Sequence, residues 1–117
     1  MLTSEPCPFC QILRGDGRAE LLHQDANVAA VRDIRPVAPT HILIIPVRHI
    51  RSLQELHAED EGLLERMIWV AREIAIREGV DASGYRLVIN TGPAAGQTVY
   101  HLHLHLLAGR RMSWPPG

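Results

Sequence analysis

Apolar and polar residues along this chain repeat with two different periods, and the change of period marks its elements. From Glu59 to Glu78 the apolar residues Leu63, Leu64, Met67, Ile68, Ala71, Ile74 and Ala75 recur at three- and four-residue spacing, the stripe of one long amphipathic helix. Gly79 supplies its C-terminal stop. Shorter apolar runs read as strands. Glu20 to His23 and Val28 to Val31 flank the turn Gln24-Asp25-Ala26-Asn27 and predict a hairpin. Thr40 to Ile45 is dense in β-branched residues and predicts a central strand, closed by Pro46. Tyr85 to Asn90 and Thr98 to Leu107 predict two more, with the glycine-rich turn Thr91 to Gln97 between them. Asp33 to Pro39 contains two prolines, which withhold backbone donors, so it reads as an ordered loop. A short helix over Phe9 to Arg14 is stopped by Gly15-Asp16-Gly17, and Ser52-Leu53-Gln54-Glu55 matches a capping box. The sum is a single α+β domain over residues 1–117, with one long helix and short helices on a largely antiparallel five-stranded sheet.

Composition narrows the function. With 117 residues, 46% of them hydrophobic and 21% charged, the chain has the make-up of an ordinary soluble domain. A net charge of −1 provides no broad positive field for a nucleic-acid polymer, so any nucleotide must be gripped locally. Met1 to Pro6 lacks the basic start and apolar stretch of a secretory signal, and no run approaches a membrane span. The expectation is a cytoplasmic protein with no membrane partner. The only cysteines, Cys7 and Cys10, have the spacing of a metal clip rather than of a disulfide framework. Tetrahedral zinc would need two further ligands from elsewhere in the chain.

Seven histidines are many for this length, and three of them stand in a row. In Tyr100-His101-Leu102-His103-Leu104-His105-Leu106-Leu107 a strand would turn the three imidazoles to one face and Leu102, Leu104 and Leu106 to the core. Residues two apart along a strand are separated by about 6.6 Å and the outer pair by about 13 Å. Three such rings cannot converge on one ion with bonds of about 2 Å, so the outer histidines have different tasks. Upstream, Gly92 and Gly96 allow close backbone approach to an anion, Gln97 and Thr98 add side-chain donors, and Asn90 adds an amide. A neutral imidazole can attack phosphorus, provided one ring nitrogen donates to a backbone carbonyl and the other keeps its lone pair. Flanking donors would then stabilise charge on the phosphate oxygens.

This row resembles the signature of the histidine triad (HIT) family. Asp33-Ile34-Arg35-Pro36-Val37-Ala38-Pro39-Thr40-His41, Gly96-Gln97-Thr98-Val99-Tyr100-His101 and the ending Trp114-Pro115-Pro116-Gly117 are similar to its Hint branch, the purine nucleoside phosphoramidases, over nearly the whole chain. The resemblance implies the HIT-like fold, with the sheet continued across a homodimer. It implies that His103 is the nucleophile, forming a nucleotidyl-histidine intermediate that water resolves. His105 would bond the phosphate or leaving group, and His41 would support the site beside His101. Asn90, Gly96, Gln97 and Thr98 would hold the phosphate and leaving side, Thr98 standing where the family often carries serine. Asp33 would receive the ribose hydroxyls, with Ile34 and Val31 as apolar pocket residues. Trp114, reaching a partner subunit, would select substrate.

The same resemblance completes the cysteine clip with His49 and His101, giving a structural zinc site of Cys7, Cys10, His49 and His101. The implied reaction is hydrolysis of the P–N bond of purine nucleoside 5'-phosphoramidates, AMP or GMP linked to amines such as lysine. Dinucleoside polyphosphate hydrolysis is the rival within enzymes. A nucleotide-binding regulatory protein with incidental catalysis is the rival outside them.

Overall fold

In the computed structural model the described residues are 7–17 and 19–117. The expectation placed on Met1 to Pro6 therefore falls outside them. Strands β1 (Leu21–Gln24), β2 (Val28–Arg32), β3 (Thr40–Pro46), β4 (Tyr85–Val88) and β5 (Leu104–Ala108) form one sheet in the order β1-β2-β3-β5-β4. Every neighbouring pair is antiparallel. Among the described residues, helices α1 (Pro8–Leu13) and α2 (Leu63–Arg77) and three short 3-10 turns accompany the sheet.

Alternation on β2 and β3 builds two cores, one on each face of the sheet. Val28, Ala30, Ile42 and Ile44 point toward α2 and pack with its Met67, Val70, Ala71, Ile74 and Ala75. Leu102, Leu104 and Leu106 join this cluster, as their alternation with histidine predicts. Each fully buried branched side chain here contributes about 2 kcal/mol of hydrophobic stabilisation. Ala29, Val31, Leu43 and Ile45 face the other way and pack around Phe9 of α1. Burial on both faces explains why β2 and β3 read as unbroken apolar runs rather than alternating ones.

Three elements differ from the pattern-based expectation. Helix α2 starts at Leu63, because Gly62 takes a left-handed conformation (φ 92°) and Ala58–Asp60 forms a separate turn instead of a first helical turn. Its buried stripe includes Val70 and leaves Ile68 exposed. Strand β4 ends at Val88, two residues short. The last strand starts only at Leu104, not Thr98. Its ladder with β3 ends at Ile44↔Leu104, and the next positions cannot extend it. Pro46 has no N–H to give, its carbonyl oxygen is bonded to the His101 ring, and the Leu102 N–H bonds to the Ile50 carbonyl at 2.6 Å. The chain therefore peels away from the sheet just where the histidines begin.

Candidate active site

His101 and His103 stand on this peeled segment and His105 on β5 beside β3 and β4, all on the face away from α2. Nδ1 of His103 lies 2.7 Å from the carbonyl oxygen of His101. A carbonyl only accepts, so Nδ1 carries the proton and Nε2 keeps its lone pair. The ring is 8% exposed and stands edge-on to His105, with centroids 4.9 Å apart. It can act as a nucleophile at Nε2.

A second chain of bonds assigns the proton on His105. The Val37 N–H donates to Nδ1 of His41 at 3.1 Å, which puts the His41 proton on Nε2. That nitrogen lies 2.9 Å from Nδ1 of His105 and 3.3 Å from an Asp33 carboxylate oxygen. His105 thus accepts at Nδ1 and carries its proton on Nε2, a buried donor with no partner among the described residues. Burial, reinforced by His103 and His41, pushes His105 down from 6.5 to about 4. Burial also lowers His41, against the pull of Asp33. Both rings are neutral near pH 7, and His105 presents an N–H toward whatever faces it. Asp33, His41 and His105 are close enough to hold an ion. The Val37 bond, however, occupies the one lone pair of His41, which favours a proton relay over metal ligation there.

Four further donors converge nearby. The sulfur and nitrogen atoms of Cys7, Cys10, His49 and His101 all lie within 4.8 Å of one another. Cys7 Sγ is 3.3 Å from Nδ1 of His101, and Cys10 Sγ is 3.3 Å from Nδ1 of His49 and 3.7 Å from that of His101. Ligands bonded at 2.0 to 2.3 Å around a tetrahedral ion are separated by roughly these distances. Nε2 of His101 donates to the Pro46 carbonyl at 2.8 Å, which frees Nδ1 for a metal and fixes the ring as outer partners of ligating histidines do. Without a cation, burial and the neighbouring Cys7 push the Cys10 thiol up to about 11. The donor set fits zinc.

The HIT domain family matches residues 14–112 of this sequence. The chain belongs to the HIT family. It is 49% identical to the purine nucleoside phosphoramidase of Escherichia coli K12 over 107 residues, 92% of this chain and 90% of that protein. It is 44% identical to a 14 kDa zinc-binding protein of Zea mays, over 99% of this chain and 91% of the relative. A HIT family hydrolase from Legionella pneumophila superposes with a TM-score of 0.91 at 48% identity, covering 96% of this chain and 100% of its own.

Of the residues that HIT resemblance implies, the structure brings His41, His103, His105 and Asp33 into one contact chain, and Cys7, Cys10, His49 and His101 into another. Asn90 lies half-buried just past β4, and Gly96 and Thr98 are exposed on the loop that follows. Gln97 does not offer a free donor. Its Nε2 donates to the carbonyls of Arg51 and Val99 and its Oε1 accepts from the Gly92 N–H, so the amide builds the loop. Val31 is buried against Phe9 in the second core. Ile34 and Trp114 are 79% and 82% exposed. Phe9 escaped the sequence reading although it lies between the two cysteines; its ring meets both His101 and His103. A cavity of about 700 Å³ between Asn27, Pro46, Asp60 and Arg66 includes no histidine, and its arginines are paired with Asp60 and Asp25.

Proposed function

We propose that this HIT protein hydrolyses the P–N bond of purine nucleoside 5'-phosphoramidates, such as AMP or GMP joined to lysine. The observation that carries the reading is the tautomer pair: a lone pair on Nε2 of His103 beside an N–H on Nε2 of His105. Nε2 of His103 attacks phosphorus as the P–N bond breaks, and the departing nitrogen takes up one proton from solvent and leaves as the amine. His105 hydrogen-bonds the phosphate or the departing nitrogen, and the carbonyl of His101 holds the charge that develops on the His103 ring. Water then attacks the nucleotidyl-histidine, the bond to His103 breaks, and the proton taken up in the first step is returned. Asp33 receives the ribose hydroxyls and Ile34 lines the base side, whereas Val31, buried against Phe9, serves the core; Asn90, Gly96 and Thr98 flank the phosphate. The named activity of the Escherichia coli relative supports this substrate class.

The reading extends to assembly and metal. A second copy adds its sheet at the exposed edge and brings the exposed Trp114 to the partner's site. Cys7, Cys10, His49 and His101 hold a structural zinc, which keeps the two thiolates charged and ties α1 to the segment before β5. The likeness to the zinc-binding protein of maize supports it. The chemistry belongs in the cytoplasm, where metal-binding thiols stay reduced.

Incubation with a nucleoside phosphoramidate, following amine release, tests the function. Wild type turns over, and His103→Ala loses at least about a thousandfold in kcat. Equal activity from that variant refutes the nucleophile. Mass spectrometry of protein purified without added zinc reads the metal, and less than about half an ion per chain counts against it.

A further inference from the structure

The segment that carries the cysteines also carries a ring that reaches the nucleophile. Phe9, 7% exposed, stands between the two thiol residues at the start of α1. Its ring meets His101 edge-on with centroids 5.6 Å apart, and His103 edge-on at 5.1 Å. Cys7 caps the helix through its sulfur, which accepts from the Cys10 N–H at 3.4 Å, so the two sulfurs and the Phe9 backbone form one rigid knuckle. His101 is tied to the same nucleophile by a second route, since its carbonyl accepts the His103 Nδ1 proton while its ring faces the sulfurs. His103 is thus touched on one side by a ring anchored between two metal-facing thiols, and on the other by the backbone of a metal-facing histidine.

We infer that Phe9 is a positioning residue for His103, and that filling of the Cys7, Cys10, His49 and His101 site is transmitted through Phe9 and the His101 carbonyl to the orientation of the His103 ring. This rests on the zinc and nucleophile assignments above. Edge-to-face contact restricts ring rotation where an aliphatic side chain of similar bulk would not. Small displacements of a reacting atom have large kinetic effects. Without the ion the two thiols have only weak sulfur contacts to the histidine rings, and Phe9 is placed by the packing of Val31, Leu43 and Ile45 alone.

The test uses the full-length zinc-loaded protein with 15N-labelled histidine, its His103 ring signals assigned by comparison with His103→Ala. In Phe9→Leu the zinc content and AMP affinity stay within twofold, kcat falls about tenfold, and the His103 signals move. Chelation of wild type moves the same signals, and added zinc restores them, while amide signals of α2 stay in place. His103 signals unmoved by either treatment would overturn the inference. The signals are read without substrate, so a protein that hydrolyses no phosphoramidate refutes the proposed reaction yet still reports on Phe9. A chain that takes up no zinc is recognised by its metal content, and overturns the transmission from the metal.

Discussion

Nε2 of His41 and Nδ1 of His105 lie 2.9 Å apart, with the Val37 N–H on the far side of His41. One backbone amide on the β2–β3 loop therefore decides which face of a ring on β5 carries a proton. The acceptor side of His105 is filled, and its donor side is left open.

Replacing His41 tests this. In His41→Ala the His105 ring is free to hold its proton on either nitrogen, and kcat falls between about 10-fold and 100-fold with KM little changed. His41→Gln retains an N–H donor and recovers part of the loss. A rise in KM with kcat unchanged would show instead that His41 supports binding.

His105→Ala removes the Nε2 donor that the proposed reaction sets against the leaving group. The loss in kcat is larger for phosphoramidates of strongly basic alkylamines than for those of aniline-like amines, because the weaker leaving group depends more on a donor. Steady-state rates over a series of amines measure the slope. Equal losses across the series would assign His105 to the phosphate oxygens alone.

Acid weakens the fold through the same residue. His105 sits at about 4 in the folded chain against 6.5 in the unfolded one, so below 6.5 the unfolded chain takes up the extra proton. Stability falls as pH drops from 6.5 toward 4 by on the order of 3 kcal/mol from this group, and no further below that. Urea midpoints of wild type and His105→Leu, compared between pH 7 and pH 4, isolate the effect. Parallel curves would rule it out.

Gly109 ends β5 at φ +91°, and a Cβ there would lie 2.8 Å from Cβ of Pro39. Gly109→Ala adds a backbone penalty and a clash with a rigid ring, and costs on the order of 2 kcal/mol. Gly79, at φ +73° with open space around it, carries only the first of these, so Gly79→Ala is the milder change by thermal melting.

Much of this arrangement was legible in the chain because side-chain alternation is a local property. Leu102, Leu104 and Leu106 had to share a face, and the histidines the other, whether or not a ladder formed around them. The strand boundary was not legible, since it depends on Pro46 and Ile50, which come from elsewhere in the sequence and use up the bonds that β5 would need. Gln97 misled for a related reason: an amide beside glycines can face an anion or brace the loop, and only the Arg51 and Val99 carbonyls decide. The delayed start of α2 follows from Gly62, whose left-handed backbone a stripe of apolar residues cannot reveal.

The strict interleaving of leucine and histidine before and along β5 has a consequence for how such a protein can change over generations. A deletion or duplication of one codon between residues 101 and 106 would exchange the two sets, sending imidazoles into the oily layer under α2 and leucines into the reactive face. Stability and chemistry would be lost in one event. Evolution can revise this stretch letter by letter, but it cannot lengthen or shorten it by a single residue.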